Sequence, residues 1–125
     1  VILDTNAVSA LLAGEHGLSE VLGPDHRHDI PVIVLAEYRY GLLRSRHRRR
    51  LETLLEKLVQ ESIVLGIDEG TAGVYVGVRD ELSRAETPIP ANDLWIAALS
   101  RQHEMAIVSH DEHFDRVSGL RRVSW

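Results

Sequence analysis

Val1-Ile2-Leu3-Asp4-Thr5-Asn6 sets two signals side by side. The first three residues are apolar throughout, as in a strand buried on both faces. The next three are polar types that begin helices. The pairing recurs along the chain. Ile30 to Val34 reads as a second buried strand, and from Leu35 the spacing turns helical, with Leu35, Tyr38 and Leu42 on one face. Ser62 to Ile67 is a third strand, followed by Asp68 as N-cap of a helix to about Ala85. Ala106 to Val108 is a fourth, followed by a short turn over Asp111 to Phe114, and Leu120 to Val123 adds an edge strand. Further helices are expected over Ala7 to Ala13, stopped by Gly14, and over His16 to Leu22, closed by Gly23-Pro24. Leu51, Leu54, Leu55 and Leu58 mark another by their i, i+3, i+4, i+7 spacing. The rigid connector Thr87-Pro88-Ile89-Pro90 then leads to Asn92, a candidate N-cap, and a helix from Asp93 to about His103. Strands alternating with helices imply an α/β fold with a mainly parallel sheet, organised as one domain over residues 1–125.

Composition narrows the chemistry. A hydrophobic content of 44% suffices for a real core, and the absence of cysteine excludes disulfides, thiolate metal sites and cysteine nucleophiles. The longest apolar stretch, Ile30 to Ala36, is far too short to span a bilayer, and no charged-then-apolar leader opens the chain. A cytoplasmic protein is therefore expected. The formal net charge of −5 argues mildly against a general nucleic-acid binder, yet Arg44, Arg46, Arg48, Arg49 and Arg50 form a dense basic patch.

Acidic residues stand where the strands hand over to helices. In open parallel sheets ligands bind beyond the carboxyl ends of the strands. Asp4 follows the first strand, Glu37 lies in the first turn after the second, Asp111 follows the fourth, and Asp93 opens a helix. Taken singly, each has an ordinary explanation: a helix cap, a first-turn acid favoured by the helix dipole, or a turn initiator. Glu37 resists this best, since it interrupts an apolar junction between Ala36 and Tyr38. Four carboxylates in one pocket repel one another and raise one another's pKa values. Divalent cations relieve that repulsion, and an oxygen-only site suits Mg²⁺ or Mn²⁺ better than zinc.

Four segments carry a family resemblance. They are Val1 to Asn6; Ile33-Val34-Leu35-Ala36-Glu37-Tyr38-Arg39-Tyr40-Gly41; Asn92-Asp93-Leu94-Trp95-Ile96-Ala97-Ala98; and Val108-Ser109-His110-Asp111-Glu112-His113-Phe114. In order and spacing they resemble the four motifs of PIN domains, and the resemblance covers nearly the whole chain. Gly41, the Pro88-Ile89 pair and the closing Leu120 to Trp125 are similar to the VapC-like toxins of bacterial toxin–antitoxin pairs. The resemblance implies a PIN-like three-layer α/β/α sandwich. It also implies Mg²⁺- or Mn²⁺-dependent endoribonuclease activity on RNA, a homodimer, and inhibition by a cognate antitoxin protein. By position, Asp4, Glu37, Asp93 and Asp111 would be the catalytic and metal-site acids, with Asn6 and Ser109 as polar supports. Asp115 is expected at the surface.

Other residues are candidates for RNA contact. On a helix from Leu35 to Arg44, the residues Tyr40, Gly41 and Arg44 would share the face of Glu37, and Arg44 would reach a phosphate. His110, beside Asp111, is a candidate substrate contact. Arg46 to Arg50 point around a helix, and Arg48 is spaced to pair with Glu52. His16, His26, His28, His47 and His103 are expected to be exposed, Trp95 to belong to the core, and Trp125 to pack at an interface or lie free. A phosphatase of the Asp-nucleophile kind or a phospho-receiver domain would need a second acid where Asn6 stands and a strand-end lysine; Lys57 is the only lysine and lies in the leucine-rich helix. Two further readings stay open: a catalytically silent PIN-fold binding protein, and a PIN-like nuclease acting on DNA or in RNA maturation.

Overall fold

A computed structural model describes residues 1–24 and 27–125; His26 lies outside them. Five strands form one wholly parallel sheet in the order β3-β2-β1-β4-β5. They are β1 (Ile2–Leu3), β2 (Asp29–Pro31), β3 (Ile63–Leu65), β4 (Ile107–Val108) and β5 (Arg122–Val123). Six helices connect them: α1 (Thr5–Ala13), α2 (His16–Leu22), α3 (Val32–Leu42), α4 (Arg48–Gln60), α5 (Glu69–Arg84) and α6 (Ala91–His103). A short 3-10 helix, Glu112–Arg116, lies between β4 and β5. The chain steps outward from β1 through β2 to β3, then crosses back to β4. Right-handed crossovers therefore set α1 to α4 on one face of the sheet and α5 with α6 on the other. This is the expected α/β/α sandwich. No described helix is long and apolar enough to cross a membrane.

The core fills the space on both sides of β1 and β4. Ile2, Leu3, Ile30, Ile96, Leu99, Ile107 and Phe114 are completely or almost completely shielded from solvent. Because β1 is central and flanked on both sides, its two residues can be wholly apolar without cost. Helix ends follow their local signals. Asp4 caps α1 by accepting from the Thr5 N–H at 2.8 Å. Gly14 ends α1 at φ 73°, a left-handed conformation that glycine adopts without penalty. Asp68 and Thr71 form a reciprocal capping box on α5.

Several boundaries differ from the sequence expectation. The second strand ends at Pro31, in register with Leu65, and Val32 to Val34 already belong to α3. Three β-branched residues in a row favour a strand locally, but the sheet edge is reached there, and the turn into α3 buries Val34 and Leu35. Helix α3 stops at Leu42, so Arg44 is beyond it. Helix α6 begins at Ala91 with Pro90 in the N-cap position, and Asn92 makes no cap; its amide goes to Glu37 instead. Leu54 is partly exposed while Leu55 and Leu58 point inward. Trp95 is half-buried rather than core, stacked on Tyr75 with centroids 3.9 Å apart. His28 is half-buried, whereas His16, His47 and His103 are exposed as expected.

Candidate active site

The strand order reverses direction between β1 and β4, and the cleft opens there, at their carboxyl ends. Asp4, Glu37, Asp93 and Asp111 line one cavity of about 590 Å³. Thr5, Asn6, Ser9 and Gly41 border it, and no Lys or Arg among the described residues does. The four acids singled out by the sequence thus converge, although they come from four separate segments.

Two networks hold them. The first joins β1 to β4. Ser109, fully buried, donates to Asp4 Oδ2 at 2.7 Å and accepts from the Asp111 N–H at 2.9 Å and the Asn6 amide at 3.2 Å. Asn6 Oδ1 in turn accepts from the His110 N–H at 3.2 Å. Ser109 uses its single donor and both acceptor positions, so its hydroxyl has one orientation. The second network joins α1, α3 and α6 through Glu37. Its Oε2 accepts from the Thr5 hydroxyl at 2.7 Å, and its Oε1 accepts from the Asn92 amide. Asn6 and Ser109 were expected in this role; Thr5 and Asn92 were not. Both reach Glu37 from other elements, which local sequence does not signal.

The remaining acids form a tighter group. Asp111 caps the 3-10 helix by accepting from the His113 N–H at 2.9 Å. That turn brings the His113 ring against both acids, with Nδ1 at 2.8 Å from Asp111 Oδ1 and 3.2 Å from Asp93 Oδ2. One ligand atom from each of Asp93, Asp111 and His113 lies within 4.8 Å of the others. The sequence placed His113 beside Asp111 without assigning it a role.

Electrostatics separates these carboxylates. Burial pushes the Asp4 carboxyl up; hydrogen bonds from Ser109 and Thr5 oppose this, and the charges of Asp111 and Glu37 reinforce it. Asp93 is pushed up to about 7, first by burial and then by its hydrogen bond to Asp111 and the nearby negative charges. Burial acts upward on Asp111 too, but hydrogen bonds from His113 and Asp93 hold it below the usual carboxylate range. Of this pair Asp93 is therefore the carboxyl that takes up a proton first when no cation is bound. A divalent ion would replace that proton and satisfy both carboxylates, so the donor set fits one.

The other candidates are not gathered here. Arg44 is exposed past the end of α3 and does not line the cleft, because the helical face that would have carried it ends at Leu42. Tyr40 is 67% exposed and points elsewhere. The His110 ring stacks on Trp125 with centroids 3.5 Å apart and approaches the Trp125 carbonyl at 3.1 Å. Trp125 in turn donates to Glu15 at 2.8 Å. Arg46, Arg48, Arg49 and Arg50 are exposed, and Arg48 pairs with Glu52 at 2.7 Å as its spacing suggested. Asp115 faces solvent in a bidentate pair with Arg122, both contacts at 2.8 Å.

Comparison with known proteins places this arrangement. The PIN domain family matches residues 1–120. Ribonuclease VapC5 of Mycobacterium tuberculosis is 31% identical over 126 residues, spanning 98% of this chain and 90% of that protein. The tRNA(fMet)-specific endonuclease VapC of Shigella flexneri is 32% identical over 97 residues, or 77% of this chain and 74% of its own length. Among solved structures, DNA-bound VapBC from Salmonella typhimurium superposes with a TM-score of 0.85 at 27% identity, covering 99% of this chain and 96% of that one.

Proposed function

The chain belongs to the PIN-domain family, and from that premise we propose that it is a metal-dependent endoribonuclease, the toxin of a toxin–antitoxin pair. The observation that carries this is the convergence of Asp4, Glu37, Asp93 and Asp111 on one cleft that no Lys or Arg among the described residues lines. The hydroxyls, amides and imidazole around these acids supply hydrogen bonds but no Lys or Arg charge, and a cation between them would relieve their mutual repulsion. Relatives named as ribonucleases, and one named as specific for tRNA(fMet), support RNA as the substrate class. Similarity to a VapBC complex supports a cognate antitoxin as partner. A homodimer acting in the cytoplasm completes the proposal.

Mg²⁺ or Mn²⁺ bound at these acids would lower the pKa of a coordinated water and stabilise the charge that develops on the phosphate. The chain's own residues prepare the site for it. Asp93 and Asp111 present oxygens on one side of the cleft. Ser109 and Asn6 fix the Asp4 carboxylate, and Thr5 and Asn92 fix that of Glu37, so little reorganisation is needed when substrate arrives. One of the four acids would accept the proton of the attacking water. Gly41 has no heavy atom within 4 Å of where a Cβ would sit, leaving room beside Glu37 for an RNA backbone. Arg44 follows Leu42, which borders the cleft, and is a candidate phosphate contact beyond the cleft wall. His110, stacked on Trp125 and adjacent in sequence to Asp111, is a further candidate RNA contact.

Cleavage of total cellular RNA by purified protein in Mg²⁺ or Mn²⁺, repeated with EDTA, is the test. Defined fragments that vanish with EDTA and with Asp93→Asn are expected. No cleavage of any RNA by folded, antitoxin-free protein would sink the proposal in favour of a binding-only or DNA-directed role.

A further inference from the structure

We propose that His113 is a direct ligand of the cation site, its Nδ1 joining one oxygen each of Asp93 and Asp111 in a mixed nitrogen–oxygen set that favours Mn²⁺ over Mg²⁺. This rests on the metal-dependent reading above and adds to it a residue and a metal preference.

Geometry is the first support. Ligand atoms on adjacent corners of an octahedral ion, with bonds of about 2.1 Å, stand about 3 Å apart. His113 Nδ1 lies 2.8 Å from Asp111 Oδ1 and 3.2 Å from Asp93 Oδ2. The same spacing serves a hydrogen bond, but a single Nδ1–H cannot direct itself well at two carboxylates, whereas one ion between the three atoms is shared equally. The ring is also held in place by its surroundings. Asp111 caps the turn through the His113 N–H, Phe114 is fully buried directly after it, and Asp115 is clamped by Arg122. Ligand positions need such anchoring, since an imidazole free to swing loses affinity by its entropy. Finally, the side chain is 39% exposed and so within reach of an entering ion.

Chemistry gives the preference. Mg²⁺ takes oxygen ligands and water and gains little from imidazole, whereas Mn²⁺ accepts nitrogen more readily, as the transition ions do increasingly along their series. A histidine in the set therefore tilts the site toward Mn²⁺.

The experiment is pulsed electron paramagnetic resonance on the full chain loaded with Mn²⁺, read for modulation by a directly bound ¹⁴N nucleus. Asp93→Asn identifies the signal from this site by abolishing it. Strong nitrogen modulation in the wild type, lost in His113→Asn while Mn²⁺ still binds, is expected. With it goes a fall in Mn²⁺ affinity on the order of tenfold and a smaller fall for Mg²⁺ in competition titrations. Mn²⁺ bound at the Asp93-dependent site without nitrogen modulation in the wild type overturns the inference and leaves the acidic metal site standing. Modulation that persists in His113→Asn overturns it as well. No Mn²⁺ binding by folded wild-type protein overturns the inference together with the metal-dependent reading beneath it.

Discussion

Asp111 and Asp115 sit four residues apart around one 3-10 turn, and their surroundings are opposite. Asp115 has a guanidinium across two of its oxygens, and that ion pair holds its carboxyl below the usual range. The same holds for Glu81 against Arg101, while Asp68 is held low by the backbone and side chain of Thr71 and the Gln102 amide. Asp111 instead faces Asp93 and His113 in a cleft with no Lys or Arg at its wall among the described residues, and its partner Asp93 is pushed up to about 7. The lesson is that the molecule sorts its acids by what balances them. Asp115 and Glu81 are answered by arginines and Asp68 by hydroxyl and amide groups, whereas the acids at the carboxyl edge of the sheet receive hydrogen bonds but no guanidinium or ammonium from the described residues.

The largest expected effect comes from exchanging these two acids one at a time. Asp111→Asn keeps a capping side chain but removes the charge, and should reduce RNA cleavage on the order of 10³-fold. Asp115→Asn should leave cleavage within error; equal losses from both would erase the distinction. Next in size is the response to the missing cation. Mn²⁺ at about 100 times its dissociation constant should stabilise the wild type by about 2.7 kcal/mol, seen as a raised melting temperature, and should leave Asp93→Asn unmoved. Ser109→Ala removes a buried donor from Asp4 and an acceptor from Asp111, and should cost about 1–3 kcal/mol in denaturant unfolding. A smaller effect is expected from pH. Below about 7 Asp93 carries a proton that the cation must displace, so affinity should rise with pH through that value and level off above it, by roughly tenfold per unit at most. A flat titration between pH 6 and 8 would show that Asp93 is already ionised.

The alternation of strands and helices was legible because the buried strands are uninterrupted apolar runs and their ends carry capping residues. So was the gathering of the four acids, since each stands at a strand-to-helix junction and such junctions share an edge. Three kinds of detail were not. The handover from β2 to α3 was hidden because Val32 to Val34 favour a strand by their branching, and only the limit of the sheet turns them into helix. Arg44 was misplaced because nothing local marks the end of α3 at Leu42; the chain there simply leaves to form α4. His113, Asn92 and Thr5 act through contacts across the fold, with Asp93 and Glu37, which depend on angles between elements that spacing alone does not encode. Trp95, read as core from its apolar neighbours, found a surface partner in Tyr75.

The pairing of β1 with β4 bears on when the protein can become active. Asp4 is synthesised before the Ser109 hydroxyl that orients it, which is 105 residues further along the chain. At about 5–20 residues per second, synthesis takes roughly 5–20 s to span that interval. β1 can pair with β2 in that interval but lacks β4 on its other side, so no nascent fragment ending before β4 carries an assembled cleft. Such a topology, with its contacts far apart in sequence, folds slowly and late. For a nuclease born among RNA, that ordering delays the hazard until β4 and its Ser109 have been made.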